Sequence, residues 1–91
     1  MTIRLPRYPK EEFARRGNEI YERDIRPQVE ADNKGKYVAI DIETVAWEMD
    51  ASEIAAGDRL RLRVGNAQTW MLRVGYGYIR RFGAGRIWRN A

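Results

Sequence analysis

The spacing of apolar residues in the first third of the chain predicts a helix. Apolar side chains recur there at intervals of three and four residues, which places Phe13 and Ile20 on one stripe of a helical segment over residues 9–30. Pro27 has no N–H group for the helical ladder, and its ring clashes with the preceding turn. We therefore expect the helix to end or kink near Ile25.

The middle of the chain changes to an alternating pattern, which is typical of a β-strand. In the stretch 36–44, Val38 and Ile40 fall on one face together with Ile42. The other face is expected to be wet, so this strand is predicted to be half-buried. A second short strand is predicted around residues 47–49.

Two structures fit the segment that follows. Asp50, with Glu53 three residues later, resembles a capping box and predicts a helix that runs to about Arg63. The stretch "GDRLRLRVGNAQTWMLRV" also alternates, so residues 57–64 also fit a strand that leads into a turn at "GN". We favour the helix, because the two consecutive alanines before this stretch are strong helix formers.

The last third predicts a hairpin and completes the fold class. Residues 68–74 form one strand, "GYG" forms the turn, and residues 78–82 return beside the first strand. The order is therefore α-β-β-α-β-β. We expect a small α+β domain in which the sheet is antiparallel and both helices pack on one of its faces.

Chain length and composition restrict the classes of protein that need to be considered. The 91 residues predict a single domain, 1–91, with an N-terminal arm over 1–8, a β-β-α-β-β core over 36–82 and a basic tail over 83–91. The chain has no cysteine and no histidine, which excludes a disulfide framework, a thiolate zinc site and a cysteine nucleophile. No signal-peptide pattern and no apolar run of roughly 20 residues is present, so we expect a cytoplasmic protein that has no membrane partner.

The net charge of +4 is distributed unevenly along the chain. Residues 1–56 hold 9 Lys/Arg and 12 Asp/Glu, a net charge of −3, whereas residues 57–91 hold 8 Arg and a single Asp, a net charge of +7. Such a polarised chain favours an acidic partner for its C-terminal part, either a protein or a nucleic acid. A solvated face followed by a basic tail would give the same composition.

The motif "DIET" raises the question of nuclease activity. It resembles the opening motif of the DnaQ-type 3′–5′ exonucleases, in which an Asp and a Glu two residues apart, here Asp41 and Glu43, hold catalytic metal ions. Two-metal hydrolysis needs several converging carboxylates, and that family supplies further Asp residues from a longer domain. All later carboxylates of this chain lie within fifteen residues of Glu43. We therefore expect that the chain is not an enzyme and that it has no catalytic residue, no metal site and no cofactor.

The C-terminal third interleaves aromatic rings with guanidinium groups. This composition fits the stacking and phosphate contacts of single-stranded nucleic-acid binding, and it also fits the Tyr, Trp and Arg anchors of protein interfaces. Some large apolar side chains, Leu62 among them, have no obvious place in so small a core, and exposed apolar groups often mark an interface. The predicted partner-binding residues are Trp47, Met71, Arg73, Tyr76, Tyr78, Arg80, Arg81 and Trp88.

Three stretches together resemble a known family. The stretches "YPKEEFARRGNEIYERDIRPQVE", "GKYVAIDIET" and "RVGYGYIRRFG" are similar to short uncharacterised bacterial proteins, mainly cyanobacterial, over residues 10–83. Members are typically encoded beside a small retropepsin-like aspartic protease, in a toxin–antitoxin-like arrangement. This chain departs from the family at Val45, where Gly is usual, and at "RVGN", where the family has a Pro-containing turn.

The resemblance implies a non-enzymatic protein that binds a neighbouring gene product, such as a protease or a toxin. The leading hypothesis is therefore a small cytoplasmic protein–protein interaction module with an antitoxin-like role. Self-association as a homodimer through an open sheet edge is a further expectation. The alternative is binding of single-stranded nucleic acid, in particular RNA, through the basic aromatic C-terminal hairpin.

Overall fold

The computed structural model describes residues 8–82 and contains an antiparallel sheet with helices, which confirms the predicted α+β class. The strands of the sheet are ordered β2-β1-β3-β4, so β1 and β3 are central and β2 lies at an edge. The elements are α1 (Lys10–Ile20), a π-helical turn (Tyr21–Ile25), α2 (Arg26–Val29), β1 (Tyr37–Asp41), β2 (Trp47–Asp50), α3 (Glu53–Arg63), β3 (Thr69–Arg73) and β4 (Gly77–Phe82).

The two helical layers lie on opposite faces of the sheet, so the prediction that both pack on one face is wrong. Val38 and Ile40 belong to the core cluster beneath α1, whereas Ala39 between them belongs to the cluster beneath α3. Successive strand residues point to opposite faces, so β1 is covered on both sides. The predicted wet face of this strand is therefore buried.

The core beneath α1 depends on close contact between a glycine and a tryptophan. Gly17 lies directly over the ring of Trp70, and a Cβ atom at Gly17 would be 2.3 Å from the ring atoms Cδ1 and Cγ. Phe13 lies beside the same ring, with 6.2 Å between the two centroids. The predicted apolar stripe of α1 therefore packs so closely on the sheet that no space remains for a side chain at Gly17.

The helix does not end at Ile25 but continues through Pro27 to Val29. The irregularity that Pro27 causes is the π-helical turn before it, in which the N–H of Arg26 donates to the carbonyl of Tyr21. A wider turn moves the preceding carbonyls away from the proline ring, which would clash with them in a regular α-helix.

The ambiguous segment 57–64 is helical as far as Arg63, as preferred from the sequence. Its N-cap is Ser52, whose Oγ accepts a hydrogen bond from the N–H of Ala55 at 3.2 Å. The sequence had indicated Asp50 as the cap, but its carboxylate accepts from the N–H of Ser52, before the helix begins, at 2.8 Å. A side-chain cap of this kind satisfies an N–H that has no partner in the first turn.

The turn between β1 and β2 contains a strained residue. Val45 has φ 72°, and its N–H donates to the carbonyl of Asp41 at 2.9 Å. Among residues 8–82 no other residue except glycine has a positive φ. A left-handed conformation brings Cβ close to the following carbonyl, and a β-branched side chain makes that contact worse.

Replacing Val45 by glycine is therefore expected to raise the free energy of unfolding by about 1 kcal/mol, because it removes about 1–2 kcal/mol of left-handed strain. The greater freedom of glycine in the unfolded chain offsets part of this gain, by about 0.4–1 kcal/mol. Urea denaturation would measure the change. Val45→Ala is the matched control, because alanine keeps a Cβ; a gain from alanine as large as that from glycine would contradict the strain.

Candidate interaction surface at the loop end of the sheet

The carboxylate of Asp41 is buried at the end of β1 and is surrounded by hydrogen-bond donors. Only 1% of the residue is exposed. One oxygen accepts from the N–H of Thr44 at 3.1 Å and from its hydroxyl at 2.7 Å. The other accepts from the N–H of Gln68 at 2.9 Å and from the more distant N–H of Glu43 at 3.4 Å. This carboxylate holds the turn in place.

The second carboxylate of the "DIET" motif lies elsewhere. Glu43 follows the end of β1, is exposed, and accepts a hydrogen bond from the hydroxyl of Tyr8 at 2.9 Å. The alternation predicted over 36–44 would place Asp41 and Glu43 on one strand face; because β1 ends at Asp41, that expectation is wrong. Within residues 8–82, no group of three or more Asp, Glu, His or Cys residues is arranged to hold a metal ion.

A cluster of cations and aromatic rings lies where the loop before β1 meets the β3–β4 turn. We call it the basic–aromatic corner, and it consists of Lys34, Tyr37, Arg73 and Tyr76. The guanidinium carbon of Arg73 lies 4.4 Å from the ring centroid of Tyr76 and 5.3 Å from that of Tyr37. The amino nitrogen of Lys34 lies 5.7 Å from the centroid of Tyr76. The corner therefore alternates positive charge with aromatic faces.

Strand pairing and hydrogen bonds to the loop at Gly35 hold the corner together. Tyr37 and Arg73 are directly opposite in the β1–β3 register, so their side chains share one face. The N–H of Gly35 donates to the carbonyl of Val74 at 2.8 Å, and the Nε of Arg73 donates to the carbonyl of Gly35 at 3.0 Å. Gly35 has φ +93°, a conformation that favours glycine.

Arg73 differs from the other arginines whose side chains the structure describes. Those arginines each lie within ion-pair distance of a carboxylate, whereas Arg73 has no such partner among residues 8–82. Lys34, like Lys10 and Lys36, also has no carboxylate partner in this range. Tyr76, between the two cations, is 63% exposed. Positive charge and an accessible ring therefore meet at one point of the surface.

A groove of about 250 Å³ adjoins the corner, between the π-helical turn and the β3–β4 turn. Tyr21 lines it and is only 8% exposed, and burial raises the pKa of its hydroxyl. Arg26 on the same wall pairs with Glu22 at 2.8 Å and with Glu30 at 2.9 Å. The nearby guanidinium lowers the pKa of the Glu30 carboxyl. The part of the wall formed by Arg26 is thus charge-balanced, whereas Arg73 of the corner, which lines the groove together with Tyr76, carries a positive charge that is unpaired within the described part of the chain.

Of the predicted partner-binding residues whose side chains the structure describes, it brings two together, Arg73 and Tyr76. Trp47 is half-buried on the edge strand β2 and packs against the core beneath α1. Met71 is 1% exposed and packs against α3, so its prediction as a contact residue is corrected. Trp88 lies outside the described residues. Leu62 is exposed on α3, as expected.

The other predicted residues are described only in part. The backbone of β4 pairs with β3 and contains a register shift opposite Met71 and Leu72. The positions of Tyr78, Arg80 and Arg81 on this strand are known, but their side chains lie outside the described part of the structure. Sequence reasoning missed Lys34 and Tyr37, because both join the corner only through pairing of distant segments.

No protein-family model, curated protein or solved structure matches this chain. The assignment of the corner therefore rests on its geometry and charge. Of the helices between residues 8 and 82, none is long and apolar enough to cross a membrane.

Proposed function

We propose that this chain is a non-enzymatic protein-interaction module that binds an acidic segment of a partner protein at the basic–aromatic corner. The observation that carries the proposal is the pair of cations without carboxylate partners, Arg73 and Lys34, on either side of the exposed ring of Tyr76. Opposite charge at such a surface speeds association and selects the partner.

The chemistry of the corner favours a carboxylate. A guanidinium presents parallel N–H groups that match the two oxygens of a carboxylate, and this pairing is stronger than a neutral hydrogen bond. Tyrosine and arginine are also, with tryptophan, enriched among the residues that contribute large binding energies at protein interfaces. The stacking of Arg73 on two rings restricts its motion, which lowers the entropy lost on binding.

The resemblance to the bacterial family supports a particular kind of partner. It favours the product of a neighbouring gene, such as a retropepsin-like protease or a toxin, and gives the module an antitoxin-like role in the cytoplasm. The carboxylate of Asp41 already accepts hydrogen bonds from the β1–β2 turn and from Gln68, so it has little capacity left for a metal ion. This supports the non-enzymatic part of the proposal.

Binding of a glutamate-rich peptide that contains one tryptophan would test the proposal. Arg73→Ala and Tyr76→Ala are each expected to weaken binding about tenfold, or about 1.4 kcal/mol, because each removes an anchor of the corner. Fluorescence anisotropy of the labelled peptide would measure the affinity. Arg15→Ala is the matched control, since Arg15 is an exposed arginine that already pairs with Glu12 and Glu19. Equal losses in all three variants would contradict the assignment.

One observation favours a second function, binding of single-stranded RNA. Tyr76 exposes its ring between two cations, an arrangement that can stack a base while the cations hold phosphates. If four arginines of the C-terminal part engage phosphates, the log–log salt dependence should have a slope of about −3. The anisotropy titration, repeated with labelled single-stranded RNA at two salt concentrations, separates the two functions. Steeply salt-dependent RNA binding together with no peptide binding would replace the leading proposal.

A further inference from the structure

The edge strand β2 has a row of backbone groups that point away from the sheet. The N–H of Asp41 donates to the carbonyl of Ala46 at 2.9 Å, which fixes the phase of the ladder between β1 and the chain leading into β2. Antiparallel ladders repeat every two residues, so the backbone groups of Glu48 face β1. Those of Trp47 and Met49 therefore face outward, where a further strand would pair.

Two arginines of α3 occupy the carbonyls on this outer edge. The Nη2 of Arg63 donates to the carbonyl of Trp47 at 2.8 Å, and the Nη2 of Arg59 donates to the carbonyl of Met49. The distance between the two arginines along α3 is close to the distance between the two carbonyls along β2. Four helical residues advance about 6.0 Å, and two strand residues advance about 6.8 Å.

Acidic residues of β2 hold both guanidinium groups in place. Glu48 receives Arg59 at 3.1 Å on one oxygen and Arg63 at 2.7 Å on the other. Asp50 receives a second nitrogen of Arg59 at 2.8 Å, and this contact lowers the pKa of the Asp50 carboxyl. The result is a connected network that covers the edge, in contrast to a single exposed ion pair, which would contribute little.

We propose that Arg59 and Arg63 guard the edge of β2 and prevent it from pairing with β2 of a second copy of this chain. An unguarded strand edge is a template for pairing with another chain. In an antiparallel pair with a two-fold axis at Glu48, Trp47 of one copy would face Met49 of the other. That pairing needs the two carbonyls that the guard occupies. The expected self-association through an open edge is therefore blocked at β2, independently of the function proposed for the corner.

The double variant Arg59→Gln/Arg63→Gln tests the guard. Sedimentation velocity should show concentration-dependent self-association of this variant. Amide hydrogen exchange at Trp47 and Met49 should slow at least tenfold as concentration rises, because both N–H groups become paired. In the wild-type protein the exchange of these two amides should not depend on concentration. Arg15→Gln/Arg26→Gln, which removes two other ion-paired arginines, should behave like the wild type.

A third substitution tests whether the outer edge of β2 forms the contact between the two copies. Met49→Pro added to the double variant removes an outward N–H without breaking the ladder to β1, and it should abolish the association. Absence of association in a folded double variant would overturn the proposal, as would association that protects other amides and leaves Trp47 and Met49 unchanged. If the double variant does not fold, Arg63→Gln alone applies the same test at Trp47.

Discussion

Replacing Asp41 by alanine is expected to lower the free energy of unfolding by about 3–4 kcal/mol, because several hydrogen bonds to a buried, charged acceptor are lost. The N–H groups of Thr44 and Gln68 would both lose their partner, and the hydroxyl of Thr44 would lose its acceptor. Leaving the buried N–H of Gln68 unsatisfied costs about 1–3 kcal/mol. Thr44 is exposed and water can replace its acceptor, so its two lost hydrogen bonds add about 1–2 kcal/mol. Urea denaturation followed by circular dichroism would measure the loss.

Two further variants make this result specific. Asp41→Asn keeps the shape and one oxygen acceptor, so it should cost less than alanine, about 1–2 kcal/mol. Glu43→Ala changes the other carboxylate of the same motif, which is exposed, and it should change stability by no more than about 0.5 kcal/mol. Equal losses at Asp41 and Glu43 would contradict the structural role of Asp41.

The Glu43→Ala variant also tests the nuclease interpretation of "DIET". Single-stranded DNA should survive incubation with the protein and Mg²⁺ or Mn²⁺, because the Asp41 carboxylate is committed to the turn. The Glu43→Ala variant is the informative one, since it is expected to fold normally. Metal-dependent digestion that this variant abolishes would restore the enzyme interpretation.

The local periodicity of the sequence predicted the elements well. Phe13 and Ile20 were placed on one helical stripe, and both are buried in the core between α1 and the sheet. The helix at 53–63 was preferred over a strand, although its alternating leucines fit both. These features depend on neighbours within a few residues, which is the range that a spacing pattern reports.

The arrangement of layers could not be predicted in the same way. Ala39 and Asp41 looked like a solvent-facing side of β1, because one is small and the other is charged. Both are buried because β1 is a central strand, with α3 packed over Ala39. A short Asp-x-x-Thr sequence after a strand was the available signal for Asp41, since such residues often bind their own turn.

The corner also lies beyond the range of local patterns. Arg73 and Gly35 are 38 residues apart, and only the β1–β3 register brings them into contact. The left-handed conformation of Val45 in the β1–β2 turn has no signal in the spacing pattern either, because valine normally adopts a negative φ.

Replacing Gly17 by alanine is expected to destabilise the protein, although alanine is the better helix former. Alanine gains about 1 kcal/mol in a helix interior relative to glycine. Its Cβ, however, would lie 2.3 Å from two atoms of the Trp70 ring, a rigid group that is itself buried. Because overpacking a core costs about 1–3 kcal/mol and sometimes more, we expect a net loss of about 2 kcal/mol in the free energy of unfolding.

A second glycine provides the matched control. Gly57 is also buried in a helix, but a Cβ there would be 3.6 Å from the nearest atom, the Cε of Met71, which is an ordinary contact. Gly57→Ala should therefore stabilise the protein by up to about 1 kcal/mol. In a Trp70→Leu background the clash is gone, and Gly17→Ala should become neutral or stabilising. A similar loss from Gly17→Ala with and without the Trp70 ring would show that contact with this ring is not the reason for glycine at position 17.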